Sequence, residues 1–211
     1  MNLFWGTQVN SWTTSSLLNL RKVVFFMSPT NDKNPEWLTN LQLAISKNKR
    51  DAHNRYFQIA TNGRDGWPSV RTVVFRGFGL SSTSLTFITD ARSRKKEELL
   101  ADSRAEICWY FSRTREQFRI RGNLIVSNDQ KTIKRAWDNL SKGAREQFFW
   151  LPPGLVLGTG NKPVSSEDPP EPFDVLLLSP ITIDHLALGK QQKRTVDLLQ
   201  DGIWHQQPLN P

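Results

Sequence analysis

The 211-residue chain is 37% apolar and 23% charged, enough for one well-buried domain and short for two. No apolar run approaches the roughly 20 residues that cross a bilayer, and a single Cys108 excludes an intramolecular disulfide, which fits a reducing cytoplasm. The net charge of +8 asks for an anionic partner, nucleic acid generically or a phosphorylated cofactor more narrowly; the eight tryptophans either stack on bases or fill a core.

Residues 1–34 form an irregular extension. An apolar stretch over 17–26 is too short for a membrane span, and the polar run from Met27 reads like a natural start. The expectation is that the natural protein begins at Met27 and that one domain occupies 35–211. Pro35 opens a helix in which Trp37, Leu38, Leu41 and Ile45 recur at helical spacing, with Lys47, Lys49 and Arg50 near its end. A strand over 56–61 and a return strand over 68–77 flank Asn62-Gly63-Arg64-Asp65-Gly66, where the glycines supply positive φ; this predicts a β-hairpin.

Another strand spans 85–90, and Ser93 caps the short helix after it. Strands over 105–111 and 116–122 follow, the second alternating polar and apolar residues as a half-buried antiparallel strand does. Residues 129–149 are helical in pattern, with Ile133, Trp137, Leu140, Ala144 and Phe148 on one face. Residues 151–172, rich in Pro, Gly and Ser, form a surface loop. Strands over 173–178 and 181–188 and a strand pair around Arg194 and Trp204 close the chain. Many strands and few helices predict a mainly β fold, a closed or nearly closed barrel with flanking helices. The echo of Arg-Glu-Gln-Phe at 115–118 and 145–148 has no sustained period and is no repeat.

His53, His185 and His205 are scattered without metal-ligand spacing, so no metal site is expected. No Gly-x-Ser-x-Gly elbow, Gly-x-Gly-x-x-Gly turn or Walker loop occurs. What remains is a basic, polar set. Arg71 and Arg76 flank Thr72, Val73, Val74 and Phe75; Thr89 and Asp90 end the next strand; Ser93, Arg94 and Lys95 start the helix. If the two strands pair, these groups form either a phosphate cradle or a solvated, charged helix start.

In this order, Arg71-Thr-Val-Val-Phe-Arg76-Gly77-Phe78, Phe87-Ile-Thr89-Asp90-x-x-Ser93-Arg94-Lys95, Glu106-Ile-Cys-Trp-Tyr-Phe111 and Arg115-Glu-Gln117-Phe-Arg-Ile-Arg-Gly122 resemble the pyridoxamine 5′-phosphate oxidase family, and within it the oxidase-related FMN-binding proteins. The likeness runs from about Trp37 to Pro211. It implies an FMN-binding split barrel that works as a homodimer, with flavin between the subunits. By this resemblance Arg71 reaches the phosphate, and Thr72, Val73, Val74, Phe75 and Arg76 run along the flavin. Ile88 and Thr89 line the ribityl and ring region, and Ser93, Arg94 and Lys95 complete the cradle. Gln117 contacts the ring from the neighbouring subunit, and Arg194 stands where the family places a ring arginine.

The chain also departs from the family's pyridoxal phosphate-forming enzymes. Their substrate-phosphate ligands, a Lys, Tyr, Arg and Ser, correspond to Arg76, Ile133, Trp137 and Ser141, two of them apolar here. Gln191-Gln192-Lys193 replaces an Arg-Leu-His segment. Arg76 and Ser141 remain to hold an anionic substrate, with Trp137 and Trp150 either walling the pocket or packing helices. The expectation is an FMN-dependent oxidoreductase acting on a small molecule, without nucleic acid or membrane as partner. The alternatives are a flavin-storing or flavin-sensing module and a basic nucleic-acid-binding protein. Residues 108–111 and 148–150 are either interface or core.

Overall fold

The computed structural model describes residues 34–79, 83–156 and 166–211. The extension with its Met27 start and the middle of the 151–172 loop lie outside the described residues. Helix α1 (Glu36–Lys47) buries Trp37, Leu38, Leu41 and Ala44, and at its C-terminal end the Asn48 cap donates its backbone amide to the Ala44 carbonyl at 3.1 Å. A single turn at Ala52–Arg55 leads into β1 (Tyr56–Asn62), which pairs with β2 (Pro68–Val74) in full register from Tyr56–Val74 to Asn62–Pro68. In the hairpin only Gly66 takes positive φ, at 82°. Gly63 is needed for space instead: a Cβ there would stand 2.6 Å from the Trp67 carbonyl oxygen that the Gly63 amide closes on.

The strands β3 (Gly77–Phe78), β4 (Leu85–Asp90), β5 (Arg104–Phe111), β6 (Glu116–Val126) and β7 (Phe173–Leu188) complete a sheet ordered β2-β1-β5-β6-β7-β4-β3. Every pairing is antiparallel, and β8 (Gln192–Gln200) and β9 (Ile203–Leu209) extend from β7 as a hairpin. The two expected strands around Pro180 are one strand of 16 residues. Pro180 is accommodated by a register shift opposite Gly122, where a Cβ would lie 2.1 Å from the Ser179 carbonyl oxygen. There β7 also changes neighbour, from β4 before the shift to β8 after it.

The sheet curls around one apolar core. Phe57, Phe87, Trp109, Phe111 and Phe118 are fully buried there, and α1 closes one end with Trp37 against Trp204 at 5.2 Å. The 129–149 segment is not one helix. It breaks into α3 (Gln130–Asp138), α4 (Lys142–Glu146) and a turn at Gln147–Phe149, because Asp129 and Ser141 each cap a new start by accepting from the amide three residues on. The expected apolar face survives the break. Trp137, Leu140 and Phe148 pack on Phe173 and Val175 of β7 as a second cluster, with Ile88, Ile133 and Ala144 at its margin. Of the aromatic segments, Trp109, Phe111 and Phe148 are thus core residues, while Tyr110 and Trp150 are exposed.

Candidate functional site

The barrel is split. Strand β2 ends the curled sheet on one side and β4, with the short β3 beyond it, on the other; a backbone bond from the Arg76 N–H, just past β2, to the Thr86 carbonyl at 2.8 Å joins the two sides. Helix α2 (Arg94–Ala101) lies beside this gap and is fastened on both sides. Glu98 pairs with Arg71 of β2, and Lys96 Nζ meets Asp174 Oδ2 of β7 at 3.0 Å.

The strand registers put Arg71 on the core face, in one row with Ile59, Ile107, Ile120 and Ile183. Both its terminal nitrogens are engaged: Nη1 donates to Thr61 Oγ1 and to the Ser69 carbonyl, Nη2 to Ser69 Oγ and Glu98 Oε2. Burial pushes the Glu98 carboxyl up, yet hydrogen bonds from Thr61, Ser69 and Arg71 hold it below its ordinary value. Lys95 has no such partner among the described residues. Burial, and next the Arg71 charge, hold its ammonium below the ordinary lysine value, with Glu98 and Asp90 offsetting only part. Ser93 occupies the cap position without capping: its hydroxyl donates to the Asp90 carbonyl at 2.7 Å and stands 3.3 Å from Thr89 Oγ1. The first turn of α2 therefore has no side-chain cap, a terminus suited to an anion. Arg94 points outward, exposed. Asp90 is already neutralised by Arg92, which also donates to the Phe148 and Trp150 carbonyls.

Where β2 runs out, Phe75, Arg76, Gly77 and Phe78 border a cavity of about 380 Å³ closed by α3. Arg55, Arg76 and Arg135 line it, with Thr132 and Asn139, and no acidic side chain does. One side of Arg76 stays exposed. Burial of the other, with the nearby Arg55 charge, holds its guanidinium below the ordinary value. Ser141, expected beside Arg76, is spent on the cap of α4 and is absent from the lining. Ile133 and Trp137 belong to the second cluster, and the buried Trp137 cannot wall the cavity. Arg55, Arg135 and Glu98 had escaped the sequence: each acquires meaning only from a neighbour on another element.

Gln117 and Arg194 do not join the cradle. They share one cross-strand row, Tyr110–Gln117–Leu186–Arg194, on the sheet face opposite Arg71. Arg194 is held there by Asp184, with Nε–Oδ1 at 3.0 Å and Nη2–Oδ2 at 2.8 Å; Arg119 bonds the same carboxylate. Burial raises the Asp184 carboxyl, but both arginines outweigh it and keep it below its ordinary value. Among the described residues no acid, His or Cys cluster can hold a metal, and no helix is long and apolar enough to cross a membrane.

A curled antiparallel sheet, split beside a basic helix start, defines the FMN-binding split-barrel class. Residues 34–128 match the family model described as pyridoxamine 5′-phosphate oxidase, FMN-binding domain. The chain is 37% identical over 191 residues to pyridoxine/pyridoxamine 5′-phosphate oxidase 2 of Arabidopsis thaliana, covering 83% of this chain and 96% of that one. The crystal structure of a pyridoxamine 5′-phosphate oxidase-related, FMN-binding protein from Nostoc punctiforme superposes with a TM-score of 0.79 at 37% identity, over 85% of this chain and all of that one. PhzG from Burkholderia lata shares the fold, with a TM-score of 0.71 at 20% identity over 85% and 95% of the two chains. The chain belongs to the pyridoxamine 5′-phosphate oxidase family, and its cofactor is FMN.

Proposed function

We propose that this chain is an FMN-dependent oxidoreductase acting on an anionic small molecule, with the flavin held between two copies. The observation that carries the reading is the cavity where β2 ends, bordered by Arg55, Arg76 and Arg135 and by no acid. Three arginines around one space with no acid beside them suit an anion, and their planar forks match phosphate or carboxylate oxygens.

The gap beside α2 fits the cofactor's phosphate. The Arg71 charge disfavours that of Lys95, the first turn of α2 has no side-chain cap, and Thr89 and Ser93 supply hydroxyls. In this reading Arg71, Ser93 and Lys95 hold the phosphate, with Arg94 adding its charge from the rim. The strand from Thr72 to Arg76, with Ile88 and Thr89, borders the ribityl chain and ring. When bound, FMN supplies hydride and electron transfer. The protein's part is to bind, orient and keep water away. Gln117 and Arg194 lie on the opposite face, so they serve a flavin held by a second copy, which would also cover the exposed Tyr110.

The test is bleaching of the flavin band in FMN-loaded protein without oxygen. Phosphorylated and carboxylated amines and alcohols, pyridoxamine 5′-phosphate among them, are compared with their neutral counterparts. Anionic members are expected to bleach the flavin in the native protein, and the Arg76→Ala variant to need about tenfold more of them, the loss of one charge-assisted contact. Equal bleaching by neutral counterparts would overturn the reading.

A further inference from the structure

We propose that Glu98 is a positioning residue that gives the cofactor cradle its preference for phosphate. This rests on the reading that Arg71 and Lys95 take the FMN phosphate. The cradle is built from two pieces distant in sequence, a strand that carries Arg71 and a helix that carries Lys95. Glu98 makes the one ion pair that joins them among the described residues.

Its carboxylate is 3% exposed, buried between α2 and the β1–β2 hairpin. One oxygen, Oε2, accepts from Thr61 Oγ1 at 2.6 Å and from Arg71 Nη2, so β1, β2 and α2 meet at a single atom. The other, Oε1, is buried without a hydrogen-bond partner. Keeping a carboxylate ionised in such a place is costly, and the bonds from Thr61 and Arg71 are what offset the cost. What it holds is Arg71: the four terminal N–H groups are occupied, leaving the charge and Nε–H to meet a ligand. On its other side α2 is pinned by Lys96 to Asp174, so Lys95 rides on a helix fastened on two sides. Glu98 thus fixes the span between the two cations, and that span matters to the phosphate alone.

Riboflavin lacks that phosphate and separates this role from a general structural one. Flavin-free protein is titrated with FMN and with riboflavin, following quenching of flavin fluorescence. Native protein is expected to prefer FMN. Glu98→Ala loses about tenfold or more of that preference, one misaligned charge-assisted contact, while riboflavin affinity stays within about twofold. Glu98→Gln, which still offers an acceptor to Arg71 and Thr61, keeps the preference. Glu98→Asp, which retains the charge but withdraws it by one methylene, loses the preference as the Ala variant does, and replaces it if that variant does not fold.

An unchanged or increased FMN preference in Glu98→Ala would overturn the role, the second outcome marking Glu98 as a competitor of the phosphate. An equal loss of both flavins would reduce it to a structural residue. Native protein that binds FMN no better than riboflavin would overturn the cradle itself, and this role with it.

Discussion

Lys95 offers a perturbation in which stability and binding move in opposite directions. In the flavin-free protein its ammonium is disfavoured by burial and by the Arg71 charge. Lys95→Met keeps the stem and removes the charge, so the flavin-free variant is expected to unfold at a higher temperature than the native protein. In the proposed cradle the same ammonium would make a charge-assisted hydrogen bond to phosphate worth about 1.5–3 kcal/mol. Its loss raises the FMN dissociation constant about 10- to 150-fold. Because the folded-state value is depressed, the unfolded chain binds more protons just below the ordinary lysine value of 10.5. Native flavin-free protein therefore gains stability as pH rises through that window, and the variant lacks the gain. Thermal unfolding with and without FMN, and a fluorescence titration, measure each sign separately. A variant less stable without flavin, or one with unchanged FMN affinity, would refute the reasoning.

Two further predictions concern the frame. Trp137 is fully buried and packs edge-on against Phe148 at 5.8 Å and Phe173 at 5.0 Å. Trp137→Ala is expected to cost about 3–5 kcal/mol in urea unfolding, and a cost below about 1 kcal/mol would mean that the second cluster is not cooperative with the barrel. Asp197 is 2% exposed, with one oxygen unpartnered and the other accepting from Gln206 at 3.3 Å; burial raises its carboxyl above the ordinary 3.8, with Glu36 adding to the shift. A raised value contributes stability below the ordinary one that is lost as pH climbs through it. Asp197→Asn should raise the melting temperature near neutrality and not below pH 3.8, and an equal shift at both would disprove the titration.

Much of this fold was legible because its strands are short-range statements. The alternation of Gln117, Phe118, Arg119 and Ile120 fixes which face is buried without reference to anything distant. The same logic failed at Pro180, which reads as a strand end unless the facing Gly122 is known to open the register. It failed again at 139–141, where helical spacing continues across a break made by Ser141, a capping signal present in the sequence but outweighed by the apolar period. The residues proposed for the cradle stand out in the sequence as a motif, whereas their contacts with one another do not. Glu98 and Arg71 stand 27 residues apart and Arg55 and Arg135 further still, so their encounter belongs to the closed barrel.

The way β4 is held bears on when during synthesis the proposed cradle can form. Apart from the two-residue β3, the one strand paired with β4 among the described residues is β7, between Leu85–Leu178 and Asp90–Phe173. Asp174, which anchors α2 through Lys96, lies on the same strand. A nascent chain that has emerged only as far as residue 128 already carries Arg71, Thr89, Ser93 and Lys95, yet of the strands paired with β4 among the described residues it holds just the two-residue β3. If these residues hold the phosphate, a fragment ending at residue 128 is expected to carry the motif yet bind FMN far more weakly than the full chain; a fluorescence titration of the two measures this, and equal affinity would mean that β7 is not needed.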